Sequence, residues 1–542
     1  MRLSNKWFPL CLFGFFLPNA ISAQDKLPDE KVDIVKSFNA RLLETVKIPV
    51  TPTLPPLDTT TKRLNYVVPP KQAVVNYENP TLRPIGMKTA GVEKVYNGYA
   101  KAGGGLPTSL YGEAGYYLQP NDRFDARLWL RHHSANADRI LENQRFFNND
   151  ISASSRLAIN DKMSVEAQAA YSLDRVHFYG YDHDSLRFDA EAVRQDYKVL
   201  DLGAKLFNVE RNDMDINYFV TPKFYVFNDF FSNREMGFNL NMGATKWFSK
   251  KHPLTMAVRA DFTNFEDTVV QRLNNIYLQP SFAFHAKTFR AKIGGNFTSN
   301  RDIFYIFPDV ELNLSLIGDG LQIFAGAGGD LRKNTYRTIA EYNPFIQIRG
   351  VDLRNTQFRD YFGGVKGNLG WLEYTARIAY SNATDLALFQ TVFTNTGITR
   401  FTVLYDTANI FNLRGSFHLK PMDDLTVGGA ISSSVFDLRN EEKAWGLPNI
   451  EGNVFGQYAL LEGKAQIKAN VYFADQINYR DTDDLPQKTN ALIDLSVGGT
   501  FQITDHIGVF LDVNNVLNNR RERWHDYPMF GLNILGGVTA KF

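Results

Sequence analysis

The segment 172–196 carries the residue types best suited to chemistry in this chain. His177, His183, Asp182 and Asp184 lie close together in sequence, and imidazole and carboxylate groups can share a divalent cation. A polar loop with an aromatic rim explains the same residues without a metal, and we favour that interpretation.

Other patterns that suggest chemistry have simpler explanations. His132 and His133 are adjacent, so in a strand they point to opposite faces and do not easily chelate one metal. The glycine clusters 103–105 and 326–329 do not lead into a helix, as a phosphate-binding loop requires. The chain has no Gly-x-Ser-x-Gly segment or comparable nucleophile constellation. We therefore predict no catalytic, cofactor-binding or metal site, and no enzymatic activity.

Composition narrows the classes of function further. The single cysteine, Cys11, falls in a segment that we expect to be removed, so the mature chain has no thiol. The formal net charge of +1 becomes slightly negative once Arg2 and Lys6 are removed, which gives no basis for nucleic acid as a partner. Aromatic residues make up 13% of the chain, which suits strands and the aromatic girdles of a membrane barrel.

The elements that must position these residues are β-strands. Residues 123–131, 163–171, 464–473 and 493–503 alternate apolar with polar or small side chains, which is the period of a strand with one wet face. Arginines and carboxylates share the polar faces, which predicts salt bridges across a wet interior and no strong ion selectivity. Examples on two such faces are Arg123, Asp125, Arg127 and Arg131, and Glu373 with Arg377.

The connections between these strands fall into two populations that largely alternate along the chain. Tight turns are predicted at 119–122, 160–162, 249–253, 318–320, 421–424, 462–463 and 504–505. Longer polar loops are predicted at 134–147, 172–196, 331–358, 382–399, 438–447, 474–489 and 518–530. Short turns on one rim and long loops on the other are typical of an outer-membrane barrel.

We therefore predict an all-β fold, a transmembrane antiparallel barrel of about 22 strands over residues 96–542. A soluble β-sandwich shows similar alternation, but one of this size would be split into several domains, and no linker interrupts the region. A propeller would show a repeat of about 40 residues, which is not visible here. An even number of strands places both ends of the barrel on the periplasmic side.

Both ends of the chain indicate export to a Gram-negative envelope. Residues 1–23 have the basic, apolar and small-residue regions of a signal peptide, and the apolar run is too short for a membrane-spanning helix. The last strand places Val538, Ala540 and Phe542 on one face. A terminal aromatic residue on such a strand resembles the assembly signal of outer-membrane barrels. We expect the protein in the bacterial outer membrane, in contact with lipid and lipopolysaccharide.

Residues 24–95 differ from the rest of the chain. They hold nine of the 22 prolines, which prevent a long helix or a central strand over much of their length. We interpret this region as an extended periplasmic arm or lumen-filling segment. A barrel of this size needs its lumen filled, and our hypothesis is that the arm seals it; inward-folded loops such as 331–358 or a partner are the alternatives.

The segment Leu511–Asn518 resembles the penultimate strand and following turn of TonB-dependent receptors, on the residues Asn514, Asn515 and Leu517. With the strand number and the terminal Phe542, the resemblance extends over 96–542. It implies a receptor-like barrel, whereas residues 24–95 are too short and too rich in proline for the globular plug of those receptors. This combination resembles a group of Bacteroidota outer-membrane proteins, some of which are accessory subunits of envelope machines.

Two functions follow from these expectations. The first is a non-enzymatic structural or accessory subunit of an envelope complex, such as one that assembles or exports outer-membrane proteins, with protein partners in the outer membrane or periplasm. The alternative is a TonB-dependent or passive channel for nutrient uptake. The loop 520–525, Arg-Arg-Glu-Arg-Trp-His, is a candidate contact for lipopolysaccharide phosphates or a partner, although a solvated loop is the simpler interpretation.

Overall fold

Alternation of apolar and polar side chains shapes the long strands of the molecule. The structure is a computed structural model that describes residues 96–267, 269–300 and 302–542. In the strand Ile303–Ile317, the side chain of Phe304 on the outer face is 81% exposed, whereas that of Phe307 on the opposite face is buried. The predicted signal peptide 1–23 and arm 24–95 lie outside the described residues.

Twenty-two of the described strands form one sheet. They are β1 (Gly98–Leu106), β2 (Ser109–Asn121), β3 (Phe124–Asn136), β4 (Arg145–Asn160), β5 (Met163–His177), β6 (Arg194–Asn208), β7 (Ile216–Asp229), β8 (Arg234–Phe248), β9 (His252–Glu266), β10 (Val270–His285), β11 (Phe289–Asn300), β12 (Ile303–Ile317), β13 (Leu321–Lys333), β14 (Asn355–Asn368), β15 (Leu372–Phe393), β16 (Thr399–Met422), β17 (Leu425–Leu438), β18 (Ile450–Leu460), β19 (Ala465–Ala474), β22 (Leu492–Gln502), β23 (Ile507–Asn514) and β26 (Asn533–Lys541).

Four short strands and one helix lie in the connections between the long strands. The short strands are β20 (Asn478–Arg480), β21 (Pro486–Lys488), β24 (Glu522–Trp524) and β25 (Tyr527–Pro528), and the helix is α1 (Tyr336–Tyr342). In the described part of the chain, no helix has the length and apolar character needed to cross a membrane.

The sheet closes on itself. Each barrel strand pairs antiparallel with the next one along the chain, and β1 pairs with β26 along its length. The backbone groups of Gly98 and Phe542 exchange hydrogen bonds of 2.8 and 2.9 Å, so the first and last strands end at the same rim. The predicted antiparallel barrel of about 22 strands is therefore confirmed.

Glycine allows the close approach of the backbones at this seam. A Cβ atom on Gly537 would lie 2.1 Å from the carbonyl oxygen of Ala102, and one on Gly105 would lie 1.9 Å from that of Ile534. A Cβ atom on Gly536 meets nothing closer than 3.5 Å. The glycine cluster 103–105 is thus part of the barrel wall, as its place in a strand suggested.

The two rims of the barrel differ as predicted. The turn rim, which holds the ends of β1 and β26, carries all the predicted tight turns, and its longest connection is 209–215. The opposite rim, called the loop rim below, carries the connections 137–144, 178–193, 334–354, 439–449, 475–491 and 515–532. Four connections of the loop rim are short: 107–108, 230–233, 267–269 and 301–302.

One predicted loop is wrong. Residues 382–399 are mostly strand, because β15 and β16 extend past their neighbours as a long hairpin whose tip is 394–398. The pairing shifts register between Ala383 and Leu386, and Asp385 there has a positive φ of 55°. Such a bulge bends a strand pair, and it lies where the hairpin leaves the barrel wall.

Candidate functional site

The connection 334–354 folds inward from the loop rim and begins with helix α1. Thr335 caps this helix: its side chain accepts a hydrogen bond from the backbone N–H of Thr338, and the Thr338 hydroxyl accepts one from the N–H of Thr335. Such a reciprocal cap fixes where the helix starts. The first helical residue, Tyr336, is thereby directed at the inner wall of the barrel.

Tyr336 anchors the inward loop to the wall strands β7, β8 and β9. Its backbone N–H donates to the Glu235 carboxylate at 2.6 Å, and its hydroxyl donates to Asp229 at 2.7 Å. Its ring packs edge-on against Phe227 and Phe265, with centroids 5.0 and 5.3 Å away. Burial, with the nearby Tyr197 and Asp229, raises the pKa of Tyr336 well above its usual range, so the phenol stays a hydrogen-bond donor.

Ion pairs hold the first turn of the helix, and the residue of β13 just before it, to neighbouring wall residues. The Arg337 guanidinium binds both carboxylate oxygens of Asp201 on β6, at 2.6 and 2.9 Å, and also contacts Glu341 at 3.0 Å. Just before the helix, Lys333 binds Asp261 at 2.6 Å. Bidentate arginine–carboxylate pairs fix orientation as well as position, so α1 has one defined position and orientation on the wall.

The β15–β16 hairpin reaches over the mouth of the barrel and meets this loop. The N–H of Gln347 donates to the carbonyl of Phe401 at 2.7 Å, and the N–H of Phe401 donates to the carbonyl of Phe345 at 3.3 Å. On the far side, the N–H of Thr399 donates to the carbonyl of Gly180 at 2.7 Å. The hairpin therefore bridges the connections 334–354 and 178–193.

The connection 515–532 completes the closure. The rings of Tyr527 and Phe345 stack with centroids 3.6 Å apart, and the Tyr527 hydroxyl donates to the carbonyl of Thr399 at 2.5 Å. Trp524 packs against Phe401 and Tyr342, with centroids 5.2 and 5.5 Å away.

Seven aromatic side chains thus form one buried group at the loop rim, called the mouth cluster below. Its members are Phe178, Tyr179, Tyr336, Phe345, Phe401, Trp524 and Tyr527, and none is more than 2% exposed. They come from four separate parts of the chain. Because they belong to one buried cluster, loops from these four parts of the chain meet over the mouth of the barrel.

The mouth cluster corrects the sequence-based interpretation of the loop 520–525 as solvated. Trp524 is buried, and Arg523 donates to the carbonyl of Gly446 at 3.2 Å and to the hydroxyl of Tyr342 at 2.7 Å. His525 stacks on Tyr479 with ring centroids 3.8 Å apart. The alternation of charged and aromatic residues there reflects packing between loops, which a polar composition does not reveal.

The histidines and carboxylates of the segment 172–196 serve the loop's own structure. Nε2 of His183 lies 3.0 Å from the carbonyl oxygen of Tyr179, and Asp182 accepts hydrogen bonds from the Ser185 hydroxyl at 2.6 Å and from the Asp184 N–H at 3.0 Å. His177 is buried at the end of β5. Across residues 96–267, 269–300 and 302–542, no group of three or more His, Cys, Asp or Glu side chains could hold a metal ion.

The receptor-like motif forms the turn after β23, the penultimate barrel strand. Asn515 is buried with φ +48°, and its side-chain amide donates to the carbonyls of Asn519 at 2.7 Å and Phe530 at 2.8 Å. Asn514 donates to the Asn533 side chain at 3.3 Å, whereas Leu517 is exposed. The two asparagines therefore have a structural part in folding the connection 515–532.

The proposed assembly residues lie on the outer face of β26. Val538 and Phe542 are exposed there, with Ala540 between them. The Phe542 ring stacks on Tyr116 of β2 with centroids 6.4 Å apart, and it covers Gly98, where a Cβ atom would lie 2.3 Å from the ring. Their part in barrel assembly remains a prediction.

Polar side chains of the inner face pair across neighbouring strands, as the mixed charges predicted. Arg131 binds Asp150 at 2.6 Å, and Lys292 binds Asp309 at 2.6 Å. At the seam, Asp512 lies between Lys101 at 3.3 Å and Lys468 at 2.7 Å. The inner wall therefore carries compensated charges at several places around the barrel.

No protein-family model and no curated protein matches this chain. Among solved structures, the barrel is similar to the FrpB iron transporter of Neisseria meningitidis, with a TM-score of 0.64 and 10% identity over 83% of this chain and 82% of that chain. It is also similar to the pyoverdine receptor FpvA of Pseudomonas aeruginosa, with a TM-score of 0.62 and 11% identity over 82% of this chain and 78% of that chain.

A third similar structure is the alcaligin outer-membrane receptor FauA of Bordetella pertussis, with a TM-score of 0.54 and 12% identity over 83% of this chain and 76% of that chain. At such low identity the likeness is one of fold. The expected resemblance of the barrel to TonB-dependent receptors is supported, and the predicted location in the bacterial outer membrane agrees with it. The chain therefore shares the barrel fold of outer-membrane receptors.

Proposed function

We propose that the protein is a non-enzymatic outer-membrane barrel that acts as a structural or accessory subunit of an envelope complex. The observation that carries this proposal is the closure of the loop rim by the mouth cluster. In the proposed orientation the loop rim is extracellular and the turn rim is periplasmic. A barrel closed by its own loops keeps solutes out while its outer wall and its periplasmic side stay free for partners.

The packing of the mouth cluster supports this function over uptake. A receptor needs aromatic and charged side chains that face a ligand. Here the aromatic rings contact one another, and the cation of helix α1, Arg337, and the cation that precedes the helix at the end of β13, Lys333, are already paired with wall carboxylates. Opening the mouth would expose several fully buried rings at once, and each large buried side chain contributes about 1.5–3 kcal/mol to burial.

Affinity purification from gently solubilised membranes tests the proposal. A tag inserted in the exposed connection 481–485 avoids both the seam and the mouth cluster. Stoichiometric outer-membrane or periplasmic companions are expected, and they should persist when the mouth is destabilised by Tyr336→Ala. Recovery of the barrel alone, under conditions that preserve a known membrane complex of the same cells, would contradict an accessory function.

Nutrient uptake is the second candidate, and the likeness to the FrpB iron transporter and to the pyoverdine and alcaligin receptors favours it. If the protein takes up a nutrient, the mouth cluster is the closed state of the nutrient's entrance, and the bound nutrient would displace the β15–β16 hairpin. Growth on limiting iron with and without the protein separates the candidates, because only the uptake function predicts a defect that depends on the nutrient.

We further propose that the protein has no folded plug, that it originates from Bacteroidota, that it contacts lipopolysaccharide and that residues 24–95 seal its lumen. The inward loop 334–354 closes the loop rim, so a seal formed by the arm would act at the other end of the lumen. The conductance of planar bilayers that contain a variant without residues 24–95 tests that seal. The test is sharper if the same variant also carries Tyr336→Ala, which destabilises the mouth cluster.

A further inference from the structure

Arg400, near the start of β16, holds a guanidinium group among aromatic rings at the loop rim. Its Cζ atom lies 4.1 Å from the ring centroid of Phe178 and 5.7 Å from that of Phe231. Phe178 begins the connection 178–193, and Phe231 belongs to the short connection 230–233. The β15–β16 hairpin therefore carries this cation across the mouth to the opposite wall.

The guanidinium has no counter-ion among the described residues. Its Nε–H is shielded from solvent and has no acceptor. Three tyrosines lie in its vicinity, Tyr197, Tyr336 and Tyr527, and among the described residues none of their hydroxyls accepts a hydrogen bond from Arg400. Contacts with ring faces compensate a desolvated cation only in part.

Other arginines of the loop rim show how the protein compensates such charges. Arg337 is bidentate with Asp201, Arg194 binds Asp196 at 2.6 Å, and Arg523 has carbonyl and hydroxyl acceptors. A half-buried arginine with its Nε–H unbonded is unfavourable unless an acceptor is supplied from outside.

We propose that Arg400 is the fixed cationic contact of a binding site for an oxyanion, either a carboxylate or a phosphate. The planar fork of arginine suits both groups. Beside the guanidinium, the ring of Phe231 in the connection 230–233 is 48% exposed. A ligand that carries an apolar group beside its oxyanion could lie on that ring. The site does not depend on whether the protein is an accessory subunit or a transporter.

Titration calorimetry on the full-length protein in detergent tests the site, with inorganic phosphate and acetate as separate probes at constant ionic strength. The wild type should show one saturable site for at least one probe. Arg400→Met should weaken that binding tenfold or more, and Arg400→Lys should weaken it less, because it keeps the charge and loses the fork. Arg349→Met, which removes an exposed arginine of the inward loop, should leave the affinity unchanged.

Further arms of the experiment identify the source of the oxyanion and control for folding. Displacement of bound phosphate by lipopolysaccharide micelles would assign the natural ligand to lipid phosphate, and failure to displace it would assign a soluble ligand. Heat-modifiable migration on gels reports whether each variant keeps its barrel, and Arg400→Lys keeps the test valid if the methionine variant does not fold. The proposal is overturned if neither probe binds the wild type, or if the probes bind wild type and Arg400→Met equally.

Discussion

Truncation of Tyr336 should open the mouth without unfolding the barrel. The ring is fully buried against Phe227 and Phe265, and the hydroxyl donates to Asp229. Removing a buried aromatic side chain typically costs about 3–5 kcal/mol. The hydrogen-bond ladders of the barrel wall do not involve this side chain, so the cost falls on the closure of the mouth. Because each 1.4 kcal/mol is a factor of about ten, Tyr336→Ala should raise the open population by about 100-fold to 1000-fold or more.

Hydrogen exchange measured by mass spectrometry follows this opening directly. The reporter is the hydrogen bond from the Gln347 N–H to the carbonyl of Phe401, which joins the inward loop to the hairpin. Its exchange should accelerate by the same factor as the open population when opening and closing are fast. Tyr336→Phe removes only the hydroxyl, at a cost of about 1 kcal/mol, so its effect should be about fivefold.

Phe304→Ala is the matched control, because it removes an aromatic ring from the outer face of β12, which has no part in the mouth contacts described above. It should leave exchange in 334–354 unchanged. If Tyr336→Ala exchanged no faster than this control, the inward loop would be held by contacts other than those described, and the reasoning would fail. Loss of the folded barrel in Tyr336→Ala would equally refute the separation of mouth and wall.

Three further predictions concern the seam, the motif turn and the loop carboxylates. Gly537→Ala should lower the yield of folded barrel on heat-modifiability gels, because its Cβ would lie 2.1 Å from a backbone oxygen, whereas Gly536→Ala, with no atom nearer than 3.5 Å, should fold normally. Asn515→Ala should destabilise the connection 515–532 by about 2–3 kcal/mol in urea unfolding, since it loses two buried hydrogen bonds and places alanine at positive φ; Leu517→Ala should change it by less than about 0.5 kcal/mol. The hydrogen bond from the backbone N–H of Phe188 lowers the pKa of Glu142 in the folded protein. The stabilisation of the connection 178–193 by the Glu142 carboxylate should therefore be present above the unfolded pKa of 4.5 and be lost as the pH falls through the lower folded pKa. Proteolysis of that connection should accelerate at the lower pH, and Glu142→Gln should remove this pH dependence.

The wall of the barrel was predictable because each strand carries its own local evidence. Alternation in segments such as 163–171 assigns the two faces, and turn residues such as those at 160–162 mark the ends. Both signals are local, so they can be recognised without knowing which strands pair. The hairpin 382–399 was misassigned for the same reason. Past the bulge at Asp385 it is buried on both sides by other loops, so its composition no longer follows the pattern of a wall strand.

The mouth cluster was not predictable from the sequence. Tyr336 meets Asp229, and Tyr527 meets Thr399, over separations of more than a hundred residues. Each connection by itself has the polar composition of a solvated loop, and only the closed barrel brings the rings together. The unbonded Nε–H of Arg400 also becomes visible only when its surroundings are known.

The pairing of β1 with β26 has a consequence for the order of events during biogenesis. The two strands lie at opposite ends of the described barrel, and the ion pair of Lys101 with Asp512 already spans 411 positions of sequence. The entropic cost of closing a loop grows only logarithmically with the sequence separation, at about 0.6 kcal/mol per doubling, so the long separation lowers the equilibrium stability only a little. The search for the partner edge is slow by comparison, because distant pairings limit the rate. Until β1 and β26 pair, both edge strands expose unpaired backbone groups that can pair with other chains. A folding catalyst that covers these edges would therefore shorten the period in which the protein is prone to aggregation.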